Sequence, residues 1–170
     1  MMTDGAVTVA FDLAEDLLAV ASTALAGTPV GAPLRRFVAE GEAAFDCTSQ
    51  LSVQLLRLAP AAEFPNEGRP PLYGSGRSPG PADLLGLYEV LVLRCAATAP
   101  KGGPPAVEQI TASAKTVLTD AVVLRRALEC AVAAGERPAV VGAWVPVGPE
   151  GGAVGGRVTV TFEITGCACP

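Results

Sequence analysis

The sequence predicts an α+β fold in which a mostly antiparallel β-sheet carries two main helices packed on one face, as a two-layer sandwich. Apolar residues recur every three or four positions over residues 7–26 and 106–134, which is the period of a helix. Runs with the alternating period of a strand lie between and after these segments. A glycine-rich stretch, residues 148–152, separates the last two runs and predicts a C-terminal β-hairpin.

The first helix is predicted over residues 7–26. Its apolar stripe repeats every four residues and comprises Leu13, Leu17, Ala21 and Leu25. The acidic residues near its start suit the helix dipole and face the solvent side, and they are Asp12, Glu15 and Asp16. Gly27 and Pro29 are expected to end this helix.

Three strands are predicted next. Residues 34–40 favour an edge strand, and residues 50–58 alternate apolar and polar side chains until the phase slips at Leu56, where we expect a bulge or the strand end. Residues 87–98 form the third run. It is continuously apolar over residues 90–93, as expected of a central strand that is covered on both faces.

Residues 59–86 interrupt the strands with many prolines and glycines. Proline removes a backbone donor and glycine costs conformational entropy, so we expect a flexible insert loop that becomes ordered against a partner. A second, longer helix is predicted over residues 106–134. Its one apolar face is predicted to comprise Ile110, Ala114, Val117, Ala121, Leu124, Leu128 and Ala131. Thr119 with Asp120 leaves open whether it is one helix or two. The whole chain, residues 1–170, is expected to be a single domain with a frayed tail at residues 166–170.

The hairpin is the clearest local pattern. Its predicted arms are residues 139–147 and 154–165, around the turn of residues 148–152. In the second arm the apolar residues alternate with Thr and Glu, which predicts a half-buried strand, and they are Val158, Val160, Phe162 and Ile164. The open sheet edges are expected to contact neighbouring subunits.

The composition excludes several kinds of chemistry. The chain has no histidine, so neither a Ser-His-Asp nor a Cys-His catalytic centre is possible. Its five cysteines cannot all pair within the chain. Cys95 and Cys130 are predicted to be buried thiols, whereas Cys167 and Cys169 form a lone pair in the tail that lacks further metal ligands. We therefore expect no metal and no cofactor.

Other motifs are weak. Residues 76–80 match a G-x-S-x-G pattern, but they lie in the loop and no histidine accompanies them. A formal charge of −5 disfavours a sequence-specific nucleic-acid surface. No apolar stretch is long enough to span a membrane, and no secretory signal is visible. We expect no catalytic residues. The less favoured alternatives are a small carboxylate enzyme that uses Glu42 and Asp46, and a ligand-binding domain.

The order of several short motifs resembles a known family. The motifs lie within roughly residues 5–165 and come after an N-terminal helix. In chain order they are Asp46-Cys47, Gln50-Leu51-Ser52-Val53, Leu93-Arg94-Cys95, Pro104-Pro105, a helix containing Asp120, and Gly148-Pro149-Glu150-Gly151-Gly152. This order and spacing resemble the head-to-tail connector or tail terminator proteins of actinobacterial tailed, siphovirus-type bacteriophages.

The resemblance implies a structural virion protein that forms a ring, expected to be a hexamer, which caps the tail tube and joins the tail to the head. The implied partners are further copies of the chain, the major tail tube protein and the head-tail connector proteins. DNA would pass through the ring lumen, and virus assembly would occur in the host cytoplasm. A stopper or adaptor at the head-tail joining region is the alternative.

The candidate interface residues follow from the predicted edge strand, loop and hairpin turn. They are Arg35, Arg36, Arg69, Tyr73, Arg77, Gly148, Pro149, Glu150, Gly151 and Gly152.

Overall fold

The computed structural model describes residues 5–41, 43, 48–61, 63–68, 83–97 and 103–164. In chain order the elements are helix α1 (Gly5–Ala26), strands β1 (Arg35–Ala39), β2 (Gln50–Pro60) and β3 (Leu84–Cys95), helix α2 (Val107–Ala134), and strands β4 (Ala139–Glu150) and β5 (Ala153–Ile164). The predicted α+β fold, with two helices and a mostly antiparallel sheet, is confirmed.

The five strands are ordered β1-β2-β3-β5-β4. Only the β1–β2 pair is parallel, and the other neighbours are antiparallel. Strand β1 lies at one edge of the sheet, as predicted for residues 34–40, and β4 lies at the other edge. Strands β2, β3 and β5 are therefore paired on both sides and form the centre of the sheet.

Both helices cover one face of the sheet and bury a single core. Helix α1 contributes Leu13, Leu17 and Leu25, and α2 contributes Leu124 and Leu128. The sheet residues of this core alternate along their strands and include Leu51, Val53, Tyr88, Val90, Val92, Val158, Val160, Phe162 and Ile164. The alternation predicted for β5 is confirmed, and burial of each large aliphatic side chain stabilises the fold by about 1.5–3 kcal/mol.

The opposite face of β3 is also buried. Leu91 and Leu93 pack there with Ala43 and Ala153. The carboxylate of Glu89, on the same face, accepts a hydrogen bond from Gln54 Nε2 at 2.9 Å. It also forms an ion pair with Arg157, whose Nη1 lies 3.3 Å from Glu89 Oε2. The continuously apolar run over residues 90–93 is thus buried on both faces, as its pattern predicted.

Both strands that flank the predicted loop reach into it: β2 ends at Pro60 instead of Leu58, and β3 (Leu84–Cys95) is shifted three residues toward the loop from the predicted 87–98. The register of β2 shifts between Leu55 and Arg57, so the bulge expected at Leu56 is confirmed. Strand β2 then continues to Pro60, which pairs with Leu84, so both ends of the segment 59–86 belong to the sheet. Proline is tolerated at a strand end, where its missing donor interrupts no ladder. Residues 69–82 lie outside the described residues, as does the tail at 166–170.

The hairpin turn is tighter than predicted. Strand β4 continues through Gly148 and Pro149 with an irregular register, so the turn contains only Gly151 and Gly152. Their φ angles are 56° and 75°, as required by the two-residue turns that match the twist of a hairpin. Positive φ at consecutive positions favours glycine, and this explains the Gly-Gly pair.

Two further expectations are settled. Helix α2 is one continuous helix, and Asp120 faces inward instead of capping a second piece.

The burial predicted for Cys95 and Cys130 is wrong, because both thiols are exposed. Cys95 is the last residue of β3, beyond its buried part, and Cys130 lies two positions past Leu128, on a side of α2 that faces away from the core.

Tyr88 gives the core a measurable pH dependence. Its hydroxyl donates a hydrogen bond to the Ala10 carbonyl oxygen at 2.9 Å, and burial raises the pKa of Tyr88 from 10.0 to about 12. The unfolded chain releases this proton near pH 10, whereas the folded chain retains it. The free energy of unfolding should therefore fall as the pH rises from 10 to about 12.

The matched variant is Tyr88→Phe, which removes the titrating group and keeps the ring. We expect the stability advantage of the natural chain over this variant, measured by urea unfolding at a series of pH values, to shrink between pH 10 and about 12. A constant difference across that window would show that Tyr88 is not held in its neutral form by the fold.

Candidate functional site

The two regions predicted to contact other subunits lie at the same end of the sheet. Arg35 of β1 is paired with Gln50 of β2, which is paired with Leu93 of β3. Cys95 in turn is paired with Ala153, directly after the hairpin turn. We call this end, where β1 and β2 begin and β3 ends, the turn end of the sheet.

The described members of the candidate interface are exposed at the turn end. The Arg35 guanidinium lies 5.7 Å from the centre of the Phe37 ring, and Arg36 Nη1 donates a hydrogen bond to Ser22 Oγ of α1 at 2.9 Å. The turn is held to β3 because Ala96 N–H donates to the Gly152 carbonyl oxygen at 2.8 Å. Gly148, Pro149, Glu150 and Gly151 are exposed beside it. The other candidates, Arg69, Tyr73 and Arg77, lie outside the described residues.

A buried ion pair locks the turn end to the helix layer. Arg94, at the end of β3, donates two parallel hydrogen bonds to the Asp120 carboxylate, at 2.9 and 3.1 Å. The side chains of Arg94 and Asp120 are 8% and 2% exposed. The guanidinium also donates to the Gly31 carbonyl oxygen at 2.8 Å and to Ser49 Oγ at 3.4 Å. One side chain thus joins β3, α2 and the segments before β1 and β2.

This pair also fixes where α2 lies along the sheet. Asp120 is level with the turn end, Arg125 donates to the Gly142 carbonyl oxygen of β4, and Val132 packs near Phe162 toward the other end. The thirteen residues of α2 before Asp120, 107–119, span about 20 Å of helix at 1.5 Å per residue, and the first part of this stretch extends beyond the sheet. In agreement, every residue from 107 to 112 is exposed.

The N-terminal half of α2 carries an apolar row that faces away from its own core. We call Val107, Ala114, Leu118 and Val122 the α2 stripe, since spacings of four and seven residues place them on one side of a helix. Val107, Leu118 and Val122 are 72%, 66% and 69% exposed. Thr111 and Lys115 lie beside the stripe and complete a shallow apolar depression.

A groove lies in the helix layer at the opposite end of the molecule. It has a volume of about 520 Å³ between α1, the C-terminal part of α2 and β5. Its apolar lining is formed by Leu13, Leu17, Val20, Ala131, Val132 and Phe162. Exposed charged residues border it, and they are Asp16, Glu136 and Arg137, with Asp12 adjacent. We call this feature the helix groove.

The buried polar side chains of the described residues have structural partners. Glu89 is paired with Gln54 and Arg157, and Asp120 with Arg94. Within the described ranges no three acidic or cysteine residues come together as a metal site. No helix there is long and apolar enough to cross a membrane. Five sequence candidates lie outside those ranges: Glu42, Asp46, the 76–80 motif, Cys167 and Cys169.

Sequence reasoning assigned α2 a single apolar face and missed the α2 stripe. Leu124 and Leu128 of the predicted face are buried, but Ile110 and Ala114 are exposed because they precede the sheet. The signal for a second face was present, since Leu118 and Val122 are apolar and lie on the other side from Leu124. A helix that is apolar on two sides needs a partner on each.

Comparison with known proteins adds no family: neither a model of a protein family nor a curated protein matches this sequence. Function is therefore proposed from the chain's own residues and from the order of motifs described above.

The buried ion pair predicts a large effect of removing one partner. Asp120→Ala leaves the Arg94 guanidinium buried without its counter-charge, so we expect the free energy of unfolding to fall by about 3–5 kcal/mol. Urea unfolding measures this change. The control is Glu129→Ala, which removes an exposed pair with Arg125 on the same helix and should cost less than about 1 kcal/mol. Similar losses in the two variants would contradict the anchoring role of Arg94–Asp120.

Proposed function

We propose that this chain is a structural virion protein, a tail terminator of the actinobacterial tailed-phage type, that forms a ring at the head-tail interface. The ring caps the tail tube and joins the tail to the head connector. The proposal combines the motif resemblance with one observation, the extension of α2 beyond the sheet with an exposed apolar stripe. An apolar surface of this kind is typical of a protein that associates with other protein surfaces.

The motifs of the resemblance gain a physical role from the fold. Arg94 and Asp120, which belong to two separate motifs, form one buried ion pair. The Gly148–Gly152 motif contains the tight turn at the same end of the sheet. Several of these motifs thus meet at the turn end, which gives them a shared structural role.

The open edges of the sheet offer a second means of association. Strands β1 and β4 lie at the two edges, and their outer backbone groups have no neighbouring strand among the described residues. Natural proteins protect such edges or pair them with a partner. Subunits that repeat around a ring provide such a partner on each side.

A stopper or adaptor remains the second candidate, because such proteins also join heads to tails as rings. The two functions differ in their partner. A terminator binds the major tail tube protein, whereas an adaptor binds on the portal side. Pull-down with each of these two proteins from the same phage therefore distinguishes the candidates, and we expect capture of the tail tube protein.

The first requirement of the proposal is self-association. We expect size-exclusion chromatography with light scattering to give a mass several times 17.1 kDa at high concentration, and negative-stain microscopy to show rings with an open centre. A protein that stays monomeric at every concentration, with and without the tail tube protein, would contradict the proposed function.

The hairpin turn provides a test of the turn end. Gly151→Asp adds a charge at an exposed position, and the resulting Asp-Gly pair suits a turn with two positive φ angles. We therefore expect a folded subunit by circular dichroism and a loss of rings by electron microscopy. Normal rings from this variant would remove the hairpin turn from the subunit contact.

A further inference from the structure

We propose that the α2 stripe of one copy docks into the helix groove of the next copy, head to tail around the ring. This inference rests on the proposed self-association and names the surfaces that carry it. The stripe comprises Val107, Ala114, Leu118 and Val122, and the groove is lined by Leu13, Leu17, Val20, Ala131, Val132 and Phe162.

The positions of the two surfaces favour a head-to-tail contact. The stripe extends past the turn end, whereas the groove lies near Phe162, which pairs with Gly86 and Ala139 at the other end of the sheet. Their separation along the molecule prevents a subunit from filling its own groove with its own stripe. Complementary patches at opposite ends of a subunit produce a heterologous contact, which closes into a ring when the rotation permits.

The shapes of the two surfaces are suited to helix packing. The groove separates two antiparallel helices of the same layer, and a third helix packs against such a pair in many bundles. Residues 114, 118 and 122 of the stripe repeat every four positions, which is the anchor spacing of a helix lying in an apolar groove. Docking would also bury Leu118 and Val122, which are now 66% and 69% exposed.

The charges on the two surfaces are complementary. Lys115 lies beside the stripe and is the one lysine within the described ranges. The acidic residues Asp12, Asp16 and Glu136 border the groove and outnumber its single Arg137. A basic residue on the inserted helix would thus meet a net negative border, which favours this register and orientation of the contact.

The proposed contact would also stabilise a helical segment that its own subunit does not support. Residues 107–112 are all exposed, and a helical segment of fewer than two turns without tertiary contacts is marginal in water. A neighbouring subunit that packs along the stripe would supply the missing tertiary contacts. The same row of apolar residues therefore accounts for both the length of α2 and its second apolar face.

The first experiment compares Leu118→Lys with Gln109→Lys. Residue 109 is nine positions from residue 118, half a turn away around the helix, and it is equally part of the exposed extension. Leu118→Lys would bury a charge at the contact, so we expect the protein concentration required for assembly to rise by about 10-fold or more. Gln109→Lys should assemble like the natural chain. Light scattering over a dilution series measures both, and circular dichroism checks each fold.

The second experiment exchanges the charges of the two surfaces. We expect Lys115→Glu alone and Asp16→Lys alone each to raise the protein concentration required for assembly by about 3- to 10-fold. The double variant should recover most of this loss. Lys115 and Asp16 lie at opposite ends of one subunit, so they can meet only across a contact between two subunits. Recovery would therefore identify the groove as the surface that receives the stripe.

Three outcomes would overturn the inference. Rings from Leu118→Lys that are as stable as those from Gln109→Lys would show that the stripe is covered by something other than a second copy, and the proposed function would stand. A double charge exchange without recovery would show that the stripe meets a different surface of the next copy. A natural chain that never assembles would contradict both the inference and the proposed function.

Discussion

The bidentate ion pair between Arg94 and Asp120 determines how the two layers of the molecule are joined. Both side chains are buried, so the cost of removing them from water is offset by their mutual contact and by the hydrogen bonds to Gly31 and Ser49. Geometry of this kind permits only one position of α2 along the sheet. Asp120 is thereby held at the turn end, and the exposed first turns of α2, residues 107–112, lie beyond it.

That single constraint connects the core to the surfaces proposed for assembly. Leu118 and Val122 are exposed because they lie on the side of α2 that faces away from Leu124. The apolar side chains of α2 instead fall into two groups, Leu124 and Leu128 inside the subunit and the α2 stripe outside it. The helix groove between α1 and the far end of α2 is a consequence of the same placement.

Much of the fold could be predicted from the sequence because it depends on local periodicity. The alternation in residues 158–164 and the apolar run at residues 90–93 were confirmed. The phase slip at Leu56 allowed a bulge or a strand end, and the structure has the bulge. The extent of β2 and β3 and the tight turn could not be predicted, because pairing between distant strands overrode the local preference of proline and glycine. The α2 stripe was missed because only one apolar face of α2 was traced, although Leu118 and Val122 mark a second side of the helix.

A cryo-electron microscopy map of the assembled protein would show whether the exposed features of α2 carry assembly. We expect a closed ring in which Leu118 of each subunit lies against Leu17 and Val20 of the next, with Lys115 near Asp16. A ring in which Leu118 faces solvent, or joins two subunits symmetrically at the same residue, would contradict the account.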